Sequence, residues 1–191
     1  EIESNQKGIT QKAYQILVAT TPETLENGTG DLWDSGQILS SQSVNVPYAG
    51  KALKSRIQCY WKVRVWDNKG NVSEYSKPGT WEMGLLSDKD WQADWISQPK
   101  VLDWKAQAQR RKAVSWDDRT QTQDPAPYLR KEFTVGKGVK KARIYITGLG
   151  NYELSLNGQK VGNHVLDPAF TRYDKRVLYV TYDVTQALKK G

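Results

Sequence analysis

The sequence predicts an all-β protein, with two antiparallel β-sandwich modules in tandem along its 191 residues. Three observations indicate this fold. Short runs of aromatic and β-branched residues alternate with polar ones, which is the period of a strand. Turn residues such as Gly and Asn separate these runs. The chain is also long enough for two domains, since a typical domain has roughly 100–150 residues.

The first module is predicted to cover residues 1–86 and to be an immunoglobulin- or fibronectin type III-like sandwich. Its strand candidates include AYQILVAT, which starts at Ala13, and CYWKVRVW, which starts at Cys59 and alternates. The sequence DNKGN follows that second run, and it predicts a Gly-containing hairpin turn. No clear strand candidate precedes Ile9, so we expect this module to be truncated at its N-terminus.

Residues 87–127 are predicted to form a junction followed by a long loop insert. Trp91 and Trp95 lie four positions apart at its start. Their indole rings are expected to seal an interface between the modules, the alternative being a platform for sugar stacking. The insert itself begins near residue 100, has few β-branched residues and ends in Pro-Ala-Pro. Loops of this length in compact domains are usually functional or disordered.

The second module is predicted to cover residues 128–191 and to be a β-sandwich that is incomplete at its C-terminus. Three alternating runs predict its strands, namely YLRKEFTV, KARIYITGLG and RVLYVTYDVT. The pair Asn157-Gly158 lies between alternating residues and predicts a type I′ hairpin turn, because both central residues of that turn need positive φ. Near the end of the chain, Asp183 or Thr185 is expected to cap a short helical turn.

The composition limits the chemistry that the chain can carry. A single cysteine, Cys59, excludes a disulfide within the chain, and its apolar strand context predicts a buried, unreactive thiol. Because the chain also has only one His, a structural zinc site is not expected. No run approaches the roughly 20 apolar residues that a membrane-spanning helix needs.

The net charge of +7 is concentrated in residues 128–191, which hold twelve Lys and Arg against five Asp and Glu. A basic region of this kind is one signature of nucleic-acid binding. Here, however, the cationic side chains are scattered along alternating strands, and the only dense run of the chain is Arg110–Lys112. We therefore expect no nucleic-acid partner, and this function stays the weakest alternative.

No catalytic residues are predicted. The chain has no G-x-S-x-G motif, and its single His164 is expected to be an ordinary loop or strand-edge residue. Glycoside hydrolysis needs two carboxyl groups about 5–9.5 Å apart. Glu132 and Glu153 alternate with apolar neighbours and should face solvent, whereas Asp117 and Asp118 lie in the loop insert. The sequence thus presents no acid–base pair.

Carbohydrate binding and calcium binding remain open, because both can use loops rich in side-chain oxygen. A sugar site combines aromatic faces with amide and carboxylate groups. The predicted carbohydrate-binding residues of the second module are Asn151, Tyr152, Asn157, Asp167 and Tyr173. Calcium takes oxygen ligands from Asn and Asp residues in loops. The predicted calcium ligands are Asn157, Asn163 and Asp167. No cofactor is required by this interpretation, and Ca²⁺ is the optional one.

Six short motifs stand in order along the chain. The first module contains W-D-S-G and Y-W-K-V-R-V-W-D, and A-D-W-I follows it. The second module contains L-N-G-x-x-V-G, L-D-P and Y-D-V-T. In this order and spacing they resemble the N-terminal region of bacterial α-L-rhamnosidases, glycoside hydrolase family 78. That region consists of a fibronectin-like module and a jelly-roll-like accessory sandwich, the rhamnosidase N-terminal domain. The resemblance covers nearly the whole chain, and the insert at residues 100–127 is its main departure.

The resemblance implies that the catalytic carboxylates lie in an (α/α)₆ barrel further along a longer parent chain. The parent is expected to hydrolyse terminal α-L-rhamnose with inversion, in the extracellular space or the periplasm. Residues 1–191 are then an inactive scaffold that packs against the barrel and shapes the approach of the substrate. The alternative is an autonomous module that binds rhamnose-containing saccharides with the help of calcium, as a sandwich of this kind does in some relatives.

Overall fold

The computed structural model describes Ser4 and residues 6–97, 126–136 and 138–188. Most of the predicted loop insert, including Asp117 and Asp118, lies outside the described residues. The chain divides into two compact units, Glu1–Ala93 and Asp94–Gly191. In the described part of both units the strands pair antiparallel and the helices are short, which confirms the predicted all-β class. None of the described helices combines the length and the apolar character that crossing a membrane requires.

The first unit is built on one antiparallel sheet. In chain order its elements are β1 (Gln11–Ala19), α1 (Pro22–Glu26), β2 (Trp33–Asp34), β3 (Ile38–Leu39), β4 (Gln58–Asp67), β5 (Gly79–Glu82) and a 3₁₀ helix (Asp88–Asp90). The strand order is β2-β1-β4-β5, and β3 pairs with β1 as well. The longest pairing joins β1 to β4, where Leu17 lies opposite Lys62 and Val18 lies opposite Trp61.

Both faces of β1 carry buried side chains, and its second half, residues 16–19, is apolar at every position. On one face Leu17, which is 1% exposed, packs with Ala19 and Leu25, and Tyr60 and Tyr75 close this cluster. Burial of a leucine side chain contributes roughly 1.5–3 kcal/mol. This side of the sheet therefore holds the main apolar contact between the strands and α1.

The helix α1 begins where the sequence supplies a cap. The side-chain oxygen of Thr21 accepts a hydrogen bond from the backbone N–H of Thr24 at 3.2 Å. Pro22 follows in the first turn, where a helix needs no backbone donor. The cap stabilises the first turn of the short helix, and the helix places Leu25 against the sheet.

The opposite face of the sheet carries a second cluster. Val18, Leu32 and Cys59 are buried there, and Tyr48 and Trp81 pack against them. Cys59 is fully buried, and burial raises the pKa of its thiol. The predicted burial of this cysteine is confirmed, and the reactive thiolate form is disfavoured at this position.

The predicted turn after β4 is confirmed. The carboxylate of Asp67 accepts hydrogen bonds of 2.8 Å from the backbone N–H groups of Lys69 and Asn71. Gly70 has φ +89°, a conformation that glycine adopts without strain. Asn71 also donates its side-chain amide to the Asp67 carboxylate, so the turn satisfies its own polar groups.

The second unit contains two small antiparallel sheets in its described part. Its elements are β6 (Arg143–Ile146), β7 (Ser155–Leu156), β8 (Gln159–Lys160), β9 (Val180–Asp183) and a 3₁₀ helix (Thr185–Ala187). β6 pairs with β9, with Ile144 opposite Tyr182, and β7 pairs with β8. Asp183 accepts hydrogen bonds from the backbone N–H and the hydroxyl of Thr185. The N-cap of the 3₁₀ helix is Val184, without a capping side-chain hydrogen bond, so the prediction that Asp183 or Thr185 is the cap is wrong.

The hairpin turn at Asn157-Gly158 is confirmed. Asn157 has φ 52° and Gly158 has φ 78°, as a type I′ turn requires. Leu156 and Gln159, the flanking residues, lie opposite each other in the β7–β8 pair. The sequence alone was enough to locate this turn, because Asn-Gly is one of the few residue pairs that adopt positive φ at two consecutive positions.

One strand prediction is wrong. Residues 128–135 alternate in the sequence, yet the described residues 126–136 contain no strand. Tyr128 is 92% exposed and Phe133 is 60% exposed. Alternation describes how side chains would be distributed on a strand, but a strand also needs a neighbour for its backbone groups. Glu132 and Glu153 are exposed, as predicted.

Candidate functional site

The second unit holds a group of polar side chains centred on a carboxylate. The side chain of Asp167 is 17% exposed. Its Oδ2 atom accepts a hydrogen bond from the Tyr182 hydroxyl and lies 2.9 Å from Nδ1 of His164. The backbone N–H of Tyr152 donates to the Asp167 carbonyl at 2.8 Å. We call these four residues, Asp167, Tyr182, His164 and Tyr152, the Asp167 network.

Each member of the network is positioned by its local backbone. Tyr182 belongs to β9 and is 8% exposed. Gly162 lies against its ring so closely that an added Cβ would come within 2.9 Å of it. Leu166 has φ 58°, and the Asp167-Pro168 peptide bond is cis. The segment after β8 places the Asp167 carboxylate against the hydroxyl end of Tyr182.

The electrostatics of the network keep the carboxylate charged. The hydrogen bond from Tyr182 lowers the pKa of Asp167, and the contact with His164 lowers it further. Burial is the main cause that raises the pKa of Tyr182 strongly, and the Asp167 hydrogen bond adds to it. At neutral pH the network thus contains an ionised carboxylate and a neutral phenol, the pairing that forms a short, charge-assisted hydrogen bond.

Tyr152 behaves differently from Tyr182. Burial raises the pKa of Tyr152. Its hydroxyl is buried close to that of Tyr182 and forms no hydrogen bond of standard geometry with the described residues. The Tyr152 hydroxyl interacts with that of Tyr182 and is not bonded to the carboxylate, so it lacks the charge-assisted hydrogen bond that Tyr182 donates to Asp167.

The arrangement is suited to holding a loop and unsuited to acid catalysis. A carboxyl group with a lowered pKa is a poor general acid at neutral pH. The groups that shift the pKa of Asp167 include no second carboxylate. The described residues also contain no group of three or more His, Cys, Asp or Glu side chains arranged to bind a metal ion. The contacts of Asp167 instead tie the loop that carries His164 to β9.

The structure brings together two of the predicted sugar-binding residues, Tyr152 and Asp167, which face each other in an isolated β-bridge. Asn151 is exposed beside them. Asn157 is engaged elsewhere, because its side-chain Nδ2 donates to the Ala187 carbonyl at 3.1 Å. The ring of Tyr173 packs against another aromatic ring at a centroid distance of 5.3 Å.

The three predicted calcium ligands do not form one ready-made site. Asp167 already accepts from two side chains, and the amide of Asn157 is bonded to a backbone carbonyl. Asn163 is exposed in the loop before His164. Binding calcium through these residues would require that the Asp167 network rearranges. The sugar and calcium assignments both stay predictions.

Sequence reasoning missed the partners of Asp167. His164 lies in a loop, as predicted, but its contact with the carboxylate three residues later was not anticipated. Strand alternation by itself predicts no partner for the hydroxyl of Tyr182, which proves to be the main partner of Asp167. The available signal was the alternation of β9, which places Tyr182 and Val184 on the buried side. A buried tyrosine needs a partner for its hydroxyl.

The lowered pKa of Asp167 predicts how the second unit responds to acid. Its stabilising contribution is complete above the ordinary carboxyl pKa of about 3.9 and is lost as the pH falls through the lowered value. We expect Asp167→Asn to make the stability of this unit less dependent on pH below about 4. Because the pKa of Asp183 is lowered as well, the stability of the second unit should keep a residual dependence on pH in this variant. Amide exchange of β6 and β9 across pH measures both effects.

The control for this prediction is Asp174→Asn. Asp174 is more than half exposed and pairs with Arg172 at 2.8 Å, away from the Asp167 network. This variant should keep the acid response of the unsubstituted chain. An equal flattening by both substitutions would mean that general charge, rather than the contacts of Asp167, controls the acid response.

The fold and the network define a class of protein, namely a tandem β-sandwich region in which the second unit has a structural carboxylate at its centre. Two family models match the chain. Residues 1–87 match the model described as Rha78A-like, N-terminal immunoglobulin domain, and residues 137–191 match the alpha-L-rhamnosidase N-terminal domain. The chain is similar to the N-terminal region of alpha-L-rhamnosidases in both of its units, which confirms the resemblance seen in the motifs.

Individual relatives support this assignment over the whole chain. An alpha-L-rhamnosidase of Formosa agariphila is 40% identical over 193 residues, an alignment that covers 96% of this chain and 20% of the relative. The solved alpha-L-rhamnosidase from Dictyoglumus thermophilum is 36% identical, with a TM-score of 0.82, and the match covers 100% of this chain and 21% of that one. For the Aspergillus terreus enzyme the identity is 30% and the TM-score 0.69, with 99% and 19% covered. This chain spans about a fifth of the length of the relatives it matches.

Proposed function

We propose that the chain is the non-catalytic N-terminal part of an α-L-rhamnosidase, whose parent chain hydrolyses terminal α-L-rhamnose from glycosides with inversion. Residues 1–191 would act as a scaffold that packs against the catalytic (α/α)₆ barrel and shapes the approach of the substrate. The observation that carries this proposal is the match of nearly the whole chain to about a fifth of each relative. The location that fits this function is the extracellular space or the periplasm.

Two features of the second unit support a scaffold role. The Asp167 carboxylate is bonded within the unit and held in its charged form, so it is unsuited to protonate a leaving group. The loop around it exposes apolar side chains: Val165 is 75%, Leu166 is 71% and Phe170 is 84% exposed. Large exposed apolar residues in one loop are typical of a surface that packs against another domain.

The catalytic part of the proposal is tested by comparing residues 1–191 with the parent chain on an aryl α-L-rhamnoside. The parent should release the aglycone and first form β-L-rhamnose, which nuclear magnetic resonance detects before mutarotation. Residues 1–191 should give no turnover. Turnover that follows the 191-residue chain through purification would refute the assignment, and initial formation of α-L-rhamnose would refute inversion.

The scaffold role is tested with Phe170→Ser. In residues 1–191 this side chain is almost fully exposed, so the substitution should leave the melting temperature unchanged. In the parent, contact with another domain would bury the ring, and the same substitution should lower the melting temperature. Equal behaviour in both chains would show that this loop makes no contact with the rest of the enzyme.

A second candidate function is an autonomous rhamnose-binding module assisted by Ca²⁺. The observation that favours it is the ring of Phe170, exposed in the same loop and packed on Tyr173, since aromatic faces suit the C–H surfaces of sugars. Calorimetry of residues 1–191 with L-rhamnose, with and without calcium, tests this function. Heat that is lost on Tyr173→Ala would support it, and the absence of heat at millimolar sugar would reject it.

A further inference from the structure

The chain contains the dipeptide Asn-Gly twice, and the structure places the two copies in different surroundings. Asn27-Gly28 follows α1, whereas Asn157-Gly158 forms the turn between β7 and β8. An asparagine that precedes glycine can cyclise, because glycine has no Cβ to shield its backbone nitrogen from the asparagine side chain. Since the two dipeptides are identical, a difference between their reactivities in the native protein has to come from the fold.

In the hairpin, the backbone nitrogen that would attack is accessible. Leu156 and Gln159 lie opposite each other across the turn, so the residues on either side of the turn form the backbone pairing of the hairpin. The N–H groups of the two central residues of a type I′ turn take no part in that pairing. Gly158 is exposed, with φ 78°, and its N–H donates no hydrogen bond to the described residues.

The side chain of Asn157 is held by a hydrogen bond at the surface. Its Nδ2 atom donates to the Ala187 carbonyl at 3.1 Å, and both residues are exposed. Cyclisation turns the side chain toward the nitrogen of Gly158, so this bond has to break first. Because the bond lies at the surface, water can replace it, and its loss uncovers no apolar side chain.

The first copy of the dipeptide is part of the end of α1. The N–H of Gly28 donates to the Leu25 carbonyl at 3.0 Å, and the N–H of Asn27 donates to the Glu23 carbonyl at 3.0 Å. Leu25 is 1% exposed and belongs to the apolar cluster between the helix and the sheet. The nitrogen of Gly28 therefore becomes free only when the end of the helix opens, and this opening disturbs a buried contact.

We propose that Asn157 is a site of spontaneous deamidation in the native protein, and that the fold protects Asn27 from the same reaction. The nitrogen of Gly158 loses its proton to solvent and forms a bond to Cγ of Asn157. The bond between Cγ and Nδ2 breaks, and Nδ2 leaves as ammonia with a proton from water. A second water molecule then adds to either carbonyl carbon of the succinimide, which gives aspartate or isoaspartate. Water is the sole co-reactant.

The modification changes the contact between the hairpin and the 3₁₀ helix (Thr185–Ala187). An aspartate has no side-chain donor at neutral pH, so a carboxylate oxygen would face the Ala187 carbonyl where the amide now donates. Repulsion between two acceptors then replaces a hydrogen bond. Isoaspartate also adds a carbon atom to the backbone of the turn, which alters the spacing between Leu156 and Gln159. Either product should therefore separate the hairpin from the helix.

The test compares the two dipeptides within one molecule. The 191-residue chain is incubated at mildly alkaline pH, and peptide mapping by mass spectrometry follows the conversion of amide to acid at each site. Asn157 should react several-fold faster than Asn27 in the native chain, and the two rates should become similar in urea. Equal rates in the native chain, or a faster reaction at Asn27, would overturn the proposal. A difference that persists in urea would also overturn it, because neighbouring residues rather than the fold would then set the rates.

A matched pair of substitutions tests the structural consequence. Asn157→Asp reproduces one product of the reaction, and Gln159→Glu makes the same change of charge at an exposed neighbour in the hairpin. The N–H of Ala187 donates to the Val184 carbonyl at 3.0 Å, and its amide exchange reports on the 3₁₀ helix. This exchange should become several-fold faster in Asn157→Asp and stay unchanged in Gln159→Glu. The same exchange rate in both variants would contradict the role of the Asn157 contact.

Discussion

Leu17→Ala should lower the free energy of unfolding of the first unit by about 3 kcal/mol, within the range for buried leucines. Leu17 is 1% exposed and lies at the centre of the cluster that joins β1 to α1. Its replacement removes three carbon atoms from a site where Ala19 and Leu25 are themselves almost fully buried. Both neighbours belong to paired or capped elements, so the cavity should not collapse fully.

Urea denaturation followed by tryptophan fluorescence measures this loss. Trp33, Trp61, Trp66 and Trp81 all lie in strands of the first unit and report its unfolding. The matched control is Leu39→Ala, in which the same substitution is made at a leucine that is 76% exposed on β3. This control should change the free energy by less than about 0.5 kcal/mol. A small effect at both positions would mean that the cluster around Leu17 is loosely packed.

Tyr182→Phe should lower the free energy of unfolding of the second unit by about 2 kcal/mol, the scale of a hydrogen bond to a charged group. The substitution keeps the ring, which is packed at 8% exposure, and removes only the hydroxyl that donates to Asp167. The carboxylate then loses the partner that contributes most to its lowered pKa. Its loop should open more often as a result.

Tyr152→Phe is the matched control for this prediction. The Tyr152 hydroxyl does not bond to the Asp167 carboxylate and interacts with the neutral hydroxyl of Tyr182, so its removal should cost less than removal of the Tyr182 hydroxyl. Native-state amide exchange of β6 and β9 in the whole 191-residue chain compares the two variants. If the two substitutions cost the same, the effect comes from the rings, and the bond to Asp167 contributes little.

These two predictions differ in how much of their basis was visible in the sequence. Leu17 could be identified as a core residue from AYQILVAT, because a strand that is apolar at nearly every position must be buried on both faces. The pairing of Tyr182 with Asp167 could not be identified in this way. The two residues are 15 positions apart, and their contact depends on the path of the loop between them, in which Leu166 has a positive φ.

The turns and strands also differ in whether the sequence was enough to predict them. Asn157-Gly158 and DNKGN were placed correctly because the conformations that they require are available to few residues, and those residues stand at the required positions. The predicted strand at 128–135 was wrong, although apolar and polar residues are interspersed in it as they are in β4. β4 has β1 on one side and β5 on the other, whereas alternation cannot show whether a partner strand is within reach.

The sequence by itself determined the all-β class, the tight turns, the buried Cys59 and the similarity to the N-terminal region of α-L-rhamnosidases, which its motifs carry. These properties depend on residues close together in the chain, or on patterns with a fixed period. Only the tertiary structure decided which partners Asp167 has, and that the described residues cover one sheet face of the first unit only in part. Both depend on contacts between distant segments, and such contacts follow from how the elements pack and not from the order of the residues within any one of them.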